Sequence, residues 1–176
     1  PERCASTWAG NPGLSHYLVT GGCGFIGSHL VEALISSGHR VRVLDDLSTG
    51  RRDNLGPRVE LVRGDVSDPQ AVGAAMFGVD GCFHLAAIAS VPLCNEQRLR
   101  GNAVNLRGTL NVFDTARACA AGRGAIPVVY ASSAAVYGDP DELPCRETSR
   151  ARPQTAYGAD KLGSELHAYA GSLVHG

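Results

Sequence analysis

The sequence predicts a doubly wound α/β domain: a parallel sheet with helices on both faces, three layers in all. Three observations predict it. Short apolar runs alternate with stretches of helical period between residues 17 and 170, a glycine-rich turn joins the first run to the first helical stretch, and an acid closes the second run. At 176 residues with 44% apolar content, the chain can bury a core.

The elements follow in order. Tyr17-Leu-Val-Thr20 is an apolar run that reads as a strand over 17–20. Gly21-Gly-Cys-Gly24-Phe-Ile-Gly27 comes next and opens into Ser28-His-Leu-Val-Glu-Ala-Leu-Ile, apolar at helical spacing, which gives a helix over 25–36. Strand, glycine turn and helix in that order form a dinucleotide-binding signature. Gly21 permits the tight turn, Gly24 lets a pyrophosphate approach the amides around Phe25 and Ile26, and Gly27 lets helix and strand pack closely. Arg40-Val-Arg-Val-Leu44 is the second strand, and Asp45 ends it eighteen residues beyond Gly27. A carboxylate there accepts hydrogen bonds from both adenosine ribose hydroxyls and repels a 2′-phosphate, so NAD is expected over NADP. Asp46 belongs to the same expected site. Arg51 and Arg52 follow in a loop over 46–57, where arginines are ordinarily solvated, although a guanidinium turned toward the ribose would soften that preference.

The alternation continues with a strand over 59–63, a helix over 69–77, a strand over 81–86 and a long helix near 97–121. Val128-Val-Tyr-Ala-Ser132 reads as a fully buried strand within 127–132, which puts Ser132 and Ser133 at the carboxyl edge of the sheet, where ligands bind in such folds. An irregular loop over 137–154 and a helix over 156–170 complete the series. Residues 1–16 carry no period and read as a disordered extension or a cloning remnant; one domain over 17–176 follows.

A net charge of −1 argues against a nucleic-acid partner, and no stretch reads as a membrane span or signal peptide. Cys4, Cys23, Cys82, Cys94, Cys119 and Cys145 show no C-x-x-C spacing, which favours reduced thiols in a cytoplasmic protein over a disulfide framework or a metal site. His84, at a strand end, reads as a hydrogen-bonded structural residue.

Lys161 is the only lysine in the chain and lies four residues after Tyr157. That spacing stacks a phenol and an ammonium on one helix face, a turn apart. A free tyrosine titrates near pH 10 (about 4 kcal/mol from neutrality), and an adjacent cation is one of the few ways to favour a phenolate.

Taken in order, these features resemble the extended short-chain dehydrogenase/reductases, the family of nucleotide-sugar epimerases and dehydratases. The matching motifs are the Gly21/Gly24/Gly27 turn, Asp45, Gly64-Asp65-Val66, His84-Leu-Ala-Ala87, Asn105-Leu-Arg-Gly-Thr-Leu-Asn111, the Ser133 strand end and the Tyr157/Lys161 pair. The resemblance implies that Asp65 and Val66 hold adenine and that Leu85, Ala86 and Ala87 contact the pyrophosphate and nicotinamide side. It also implies that Asn105 supports the active site. Lys161 would hold the nicotinamide ribose, Tyr157 would be the base that takes a proton from a sugar hydroxyl while hydride passes to NAD, and Ser133 would hydrogen-bond the reacting oxygen.

Within that family, dehydratases and UDP-glucuronate decarboxylases resemble one another in an acidic residue just before the Val-Tyr-Gly segment. Here Ala134 and Ala135 stand in those places. A UDP-sugar 4-epimerase is therefore expected, with a reductase or dehydrogenase as the runner-up. Cys94 stands where the family tends to have serine, and the hydrogen bond made there is expected to weaken. The resemblance also implies a C-terminal substrate domain outside this sequence, so that an NAD-binding module without turnover is a further reading. It implies a homodimer through the helices near 97–121 and 156–170.

Overall fold

The computed structural model describes residues 13–119 and 125–175 of the chain. Five parallel strands form one sheet: β1 (His16–Thr20), β2 (Arg40–Asp45), β3 (Glu60–Arg63), β4 (Gly81–His84) and β5 (Val128–Tyr130), in the order β3-β2-β1-β4-β5. The chain moves outward from β1 to β3 and then crosses back to β4. A crevice therefore opens at the carboxyl ends of β1 and β4, the topological switch point of such sheets.

Alternation along the strands divides the core between the two faces. Leu18 and Leu44 point into a cluster with Val72, Ala75, Met76 and Val112 beneath α2 (Pro69–Met76) and α5 (Gly108–Ala118). Val19, Val41 and Val43 point the other way, with Val31 of α1 (Phe25–Ser36). Burial on both faces explains why these strands read as nearly continuous apolar runs.

Four elements depart from the sequence reading. The strand expected over 127–132 and fully buried is only Val128–Tyr130, at the sheet edge with no strand beyond it among the described residues, and Val129 is 60% exposed. The strand expected over 81–86 ends at His84: the Leu85 amide is shared between the Thr20 carbonyl at 3.1 Å and the Thr20 hydroxyl at 3.2 Å, and the Ala86 amide goes to that hydroxyl at 3.2 Å. The helix expected near 97–121 starts earlier and is broken. It comprises α3 (Val91–Glu96), α4 (Arg98–Asn102), a π turn (Ala103–Arg107) and α5, while its expected end at 120–121 lies outside the described residues. Gln97, at φ −114° and ψ 59°, interrupts the first part. The last helix, α6 (Ala156–His175), runs beyond the expected 156–170, with the Thr155 hydroxyl capping its start by accepting the Gly158 amide at 3.0 Å. Residues 1–12, most of the expected extension, lie outside the described residues.

His84 joins strand to helix. Thr109 Oγ1 donates to the Asn105 carbonyl at 2.6 Å, so it accepts from His84 Nε2 at 3.0 Å, and His84 Nδ1 accepts from Thr20 Oγ1 at 2.7 Å. The ring is neutral and fully bonded, as the sequence suggested. Burial, assisted by the Lys161 charge, lowers its pKa to about 3. The unfolded chain binds a proton at this histidine below about pH 6.5 and the folded chain does not, so stability falls as pH drops from there toward 3, by about 1.4 kcal/mol per unit. Urea melts at pH 7 and pH 5 should show a smaller pH dependence in His84→Gln than in wild type; an equal dependence would remove His84 from this role.

Candidate active site

The glycine turn is built by close approach of backbone to backbone. Gly21 has φ +68°, and a Cβ on it would lie 2.7 Å from the Ala86 amide nitrogen. At Gly27 a Cβ would lie 2.2 Å from the Gly21 carbonyl oxygen, so α1 sits directly on the turn. Gly24 precedes α1 without a side-chain cap, and the first turn of the helix contains no acid. The leading amides of α1, Phe25 and Ile26 among them, thus lack intrahelical acceptors and leave a positive end for an anion. The Phe25 and Ile26 side chains themselves are exposed.

A cleft runs from this turn along the sheet edge. Its walls include Gly21, Gly24, Asp45, Asp46, Asp65 and Val66, and it continues past Leu85, Ala86 and Ala87. Nine of the sequence-identified cofactor residues are therefore brought together in one groove. Asp45 is buried; its Oδ2 accepts the Cys23 amide at 2.9 Å and its Oδ1 the Leu47 amide at 2.9 Å. Those bonds fix the carboxylate, and each oxygen keeps a further lone pair for a ribose hydroxyl. Arg52 turns away, donating to the Leu55 and Gly56 carbonyls.

The groove also has walls that the sequence reading missed: Ser48, Thr49 and Gly50, then Ser67, and Arg100 with Ala103 and Val104. The 46–57 loop folds back on the glycine turn, where the Arg51 amide and Asn54 Nδ2 both donate to the Cys23 carbonyl. Gly50 was the available signal, since a Cβ there would meet Cys23 Cβ at 2.8 Å.

Asn105 lies behind the groove rather than on its wall. Its Oδ1 accepts the Ile88 amide at 2.8 Å and its Nδ2 donates to the Ile88 carbonyl at 3.2 Å, which holds the strand-end loop in place. The π turn frees its carbonyl for the hydroxyls of Thr109 and, from α6, Ser164 at 3.4 Å. Cys94 keeps a place in this network. Its thiol donates to the Ile88 carbonyl at 3.3 Å and accepts from Asn105 Nδ2 at 3.5 Å, long contacts of the weakened kind expected for sulfur.

The other expected site residues lie where β5 ends against α6: Tyr157 and Lys161 on the helix, and Ser133 at the start of the turn that packs on it. Lys161 is buried, with its Nζ donating to the Ala131 carbonyl at 2.9 Å and lying 5.9 Å from the Tyr157 ring centroid. Burial pushes its pKa below the ordinary lysine range, and the adjacent Asp160 carboxylate holds part of it up. One N–H on Ala131 leaves the other ammonium donors for a ligand. Ser133 Oγ accepts the Ala135 amide at 3.2 Å, so its proton remains free to donate. Ser132 differs: its hydroxyl donates to Glu165. Of two adjacent serines, Ser133 is the one with a free donor.

A dinucleotide fits the groove, since its floor is glycine backbone at a helix N-terminus and its far wall carries a fixed acid. Asp45→Ala should lower NAD affinity by about tenfold or more, the worth of a charge-assisted hydrogen bond, and should narrow the preference for NAD over NADP. Calorimetry checks it, and unchanged values would remove Asp45 from the ribose.

The sequence matches the NAD dependent epimerase/dehydratase family over residues 17–171. A UDP-glucose 4-epimerase of Azospirillum brasilense is 37% identical over 161 residues, covering 90% of this chain and 45% of that protein. UDP-glucuronic acid decarboxylase 1 of Arabidopsis thaliana is 40% identical over 136 residues, 74% of this chain and 29% of that one. Among solved structures, the Thermus thermophilus UDP-glucose 4-epimerase in complex with NAD superposes with a TM-score of 0.83 at 36% identity, covering 91% of this chain and 51% of that one. The chain thus spans about half the length of the epimerases it matches. With a match that begins in β1 and runs through most of α6, the chain belongs to the NAD-dependent epimerase/dehydratase family.

Proposed function

We propose that the chain is the cofactor-binding part of an NAD-dependent nucleotide-sugar 4-epimerase acting on a UDP-sugar. The observation that carries this reading is the turn after Ser133. Ala134–Val136 forms one 3₁₀ turn against α6, and neither Ala134 nor Ala135 can transfer the second proton that a dehydratase or decarboxylase needs. In this reading Tyr157 is the proton-transfer residue and Ser133 its hydrogen-bonding partner toward the sugar.

NAD, when bound, supplies the reversible hydride acceptor that redox epimerisation requires. The protein's own groups do the rest. Amides at the start of α1 hold the pyrophosphate, Asp45 and Asp46 meet the adenosine ribose, and Asp65 and Val66 border the adenine. Lys161 holds the nicotinamide ribose through its remaining N–H groups. Ser133 donates to the reacting sugar oxygen, and Tyr157 takes the proton from the same hydroxyl and later returns it.

The test is interconversion of UDP-glucose and UDP-galactose, or of their N-acetyl or uronate relatives, by the full product of the gene with NAD supplied. Loss of the hydroxyl with net dehydration, or release of CO₂ from a uronate, would favour a dehydratase or decarboxylase, the latter being the activity named for the Arabidopsis relative. Net reduction of NAD⁺ to NADH would favour a dehydrogenase, and net oxidation of supplied NADH a reductase. Binding without turnover would leave an NAD-binding module.

A homodimer accompanies this reading. Leu99 on α4 and Leu166, Tyr169 and Leu173 on α6 are exposed, and a groove between the two helices is lined by Leu99, Asn102, Ala156 and Ala159. Two copies pairing through these helices would cover that surface. Sedimentation at micromolar concentration should show a dimer that Leu166→Glu dissociates; a monomeric wild type would remove the interface. Among the described residues no helix is long and apolar enough to cross a membrane, and a cytoplasmic location is part of the same proposal.

A further inference from the structure

The end of β5 is gripped twice from α6. Lys161 Nζ holds the carbonyl of Ala131, and Glu165 accepts the hydroxyl of Ser132. Lys161 and Glu165 are four residues apart, hence on one face of the helix on successive turns, whereas Ala131 and Ser132 are consecutive. Ser133 is the next residue. Its carbonyl accepts the Val136 amide at 3.2 Å and its hydroxyl accepts the Ala135 amide, so the 3₁₀ turn is built on it. The same helix closes on the far side of that turn, since a Cβ on Gly158 would lie 2.5 Å from the Ala135 carbonyl oxygen. Neither Ser132 nor Glu165 lines the cofactor groove.

We propose that Glu165 is a positioning residue: through Ser132 it fixes the Ser133 hydroxyl at the separation from Tyr157 that the reaction needs. The inference rests on the reading of Ser133 and Tyr157 as the pair that meets the sugar. The Lys161 contact and the bond from the Ala131 amide to the His84 carbonyl at 3.2 Å both act at residue 131 and leave Ser132 and Ser133 to turn beyond it, and the Glu165 contact one turn along α6 removes that freedom. What the role requires is an acceptor at the end of residue 165, not its charge. Glutamine keeps that acceptor and leucine does not.

The test uses Glu165→Leu, Glu165→Gln, Ser132→Ala and the Ser132→Ala/Glu165→Leu double variant. Amide hydrogen exchange is measured on the chain without cofactor or sugar. Exchange at Ala135 and Val136 should speed up about tenfold in Glu165→Leu and in Ser132→Ala, no further in the double variant, and stay within about twofold of wild type in Glu165→Gln. In the full gene product, turnover should fall by about tenfold in the leucine and alanine variants at unchanged KM, and glutamine should recover most of it. Ser132→Ala carries the test if leucine disturbs α6. Unchanged exchange over residues 131–137, additive effects in the double variant, or glutamine as damaging as leucine would each overturn the proposal. Because exchange is read without substrate, a protein that exchanges as expected yet converts no UDP-sugar refutes the epimerase reading and not the grip on the strand end.

Discussion

Tyr157→Phe is expected to lower turnover by about two to four orders of magnitude, roughly 3–5 kcal/mol in barrier, while NAD affinity stays close to wild type. The substitution removes only the phenol oxygen. The residues proposed to hold pyrophosphate, ribose and adenine lie in the groove at the ends of β1 and β2, a separate cluster from the α6 face that carries Tyr157. Lys161→Arg should also fail despite its conserved charge. Lys161 is buried and reaches the Ala131 carbonyl as a single point donor, and a planar guanidinium cannot take that place and still address a ribose from the same position. The check is steady-state conversion of a UDP-sugar by the full gene product beside calorimetric NAD binding. Near wild-type turnover in Tyr157→Phe would mean that another group moves the proton.

Gly27→Ala is expected to be the most damaging change in the glycine turn. Its added Cβ would stand 2.2 Å from the Gly21 carbonyl oxygen and 2.7 Å from the Gly22 Cα, both backbone atoms that no rotamer can move aside. Helix α1 must lift off the turn, which displaces the amides aimed at the pyrophosphate. Overpacking of this kind costs about 1–3 kcal/mol in stability, and NAD affinity should fall by at least about tenfold with it. Gly73→Ala is the control. It sits in α2 with nothing within 4 Å of the added Cβ, so alanine there should be neutral or slightly stabilising. Thermal melts and NAD titrations of the two variants check the contrast, and equal effects would remove the close-packing account of Gly27.

The local unit β1–turn–α1–β2 was legible residue by residue, because its determinants are neighbours in sequence. The expected helix over 25–36 and strand over 40–45 have the observed bounds, and nine expected cofactor residues share one groove. What the sequence hid depends on partners far along the chain. The end of the strand over 81–86 involves a hydroxyl on Thr20, and the long helix, interrupted at Gln97, widens to a π turn where Asn105 reaches back to Ile88. Periodicity carries neither signal. The wall formed by residues 48–50 arises where a polar loop folds onto Cys23, and the different commitments of Ser132 and Ser133 rest on Glu165 and Ala135. The resemblance already singled out Ser133, but the bond that commits the Ser132 hydroxyl to Glu165 is visible only in the structure.

NAD is expected to bind this chain in the groove that begins at the glycine turn. Calorimetric titration of the chain with NAD and, separately, with NADP tests it most directly, because it needs neither a sugar nor turnover. Saturable binding of one NAD per chain is expected, with NADP weaker by about tenfold or more through repulsion between Asp45 and its 2′-phosphate. Absence of NAD binding, or equal affinity for the two cofactors, would contradict it.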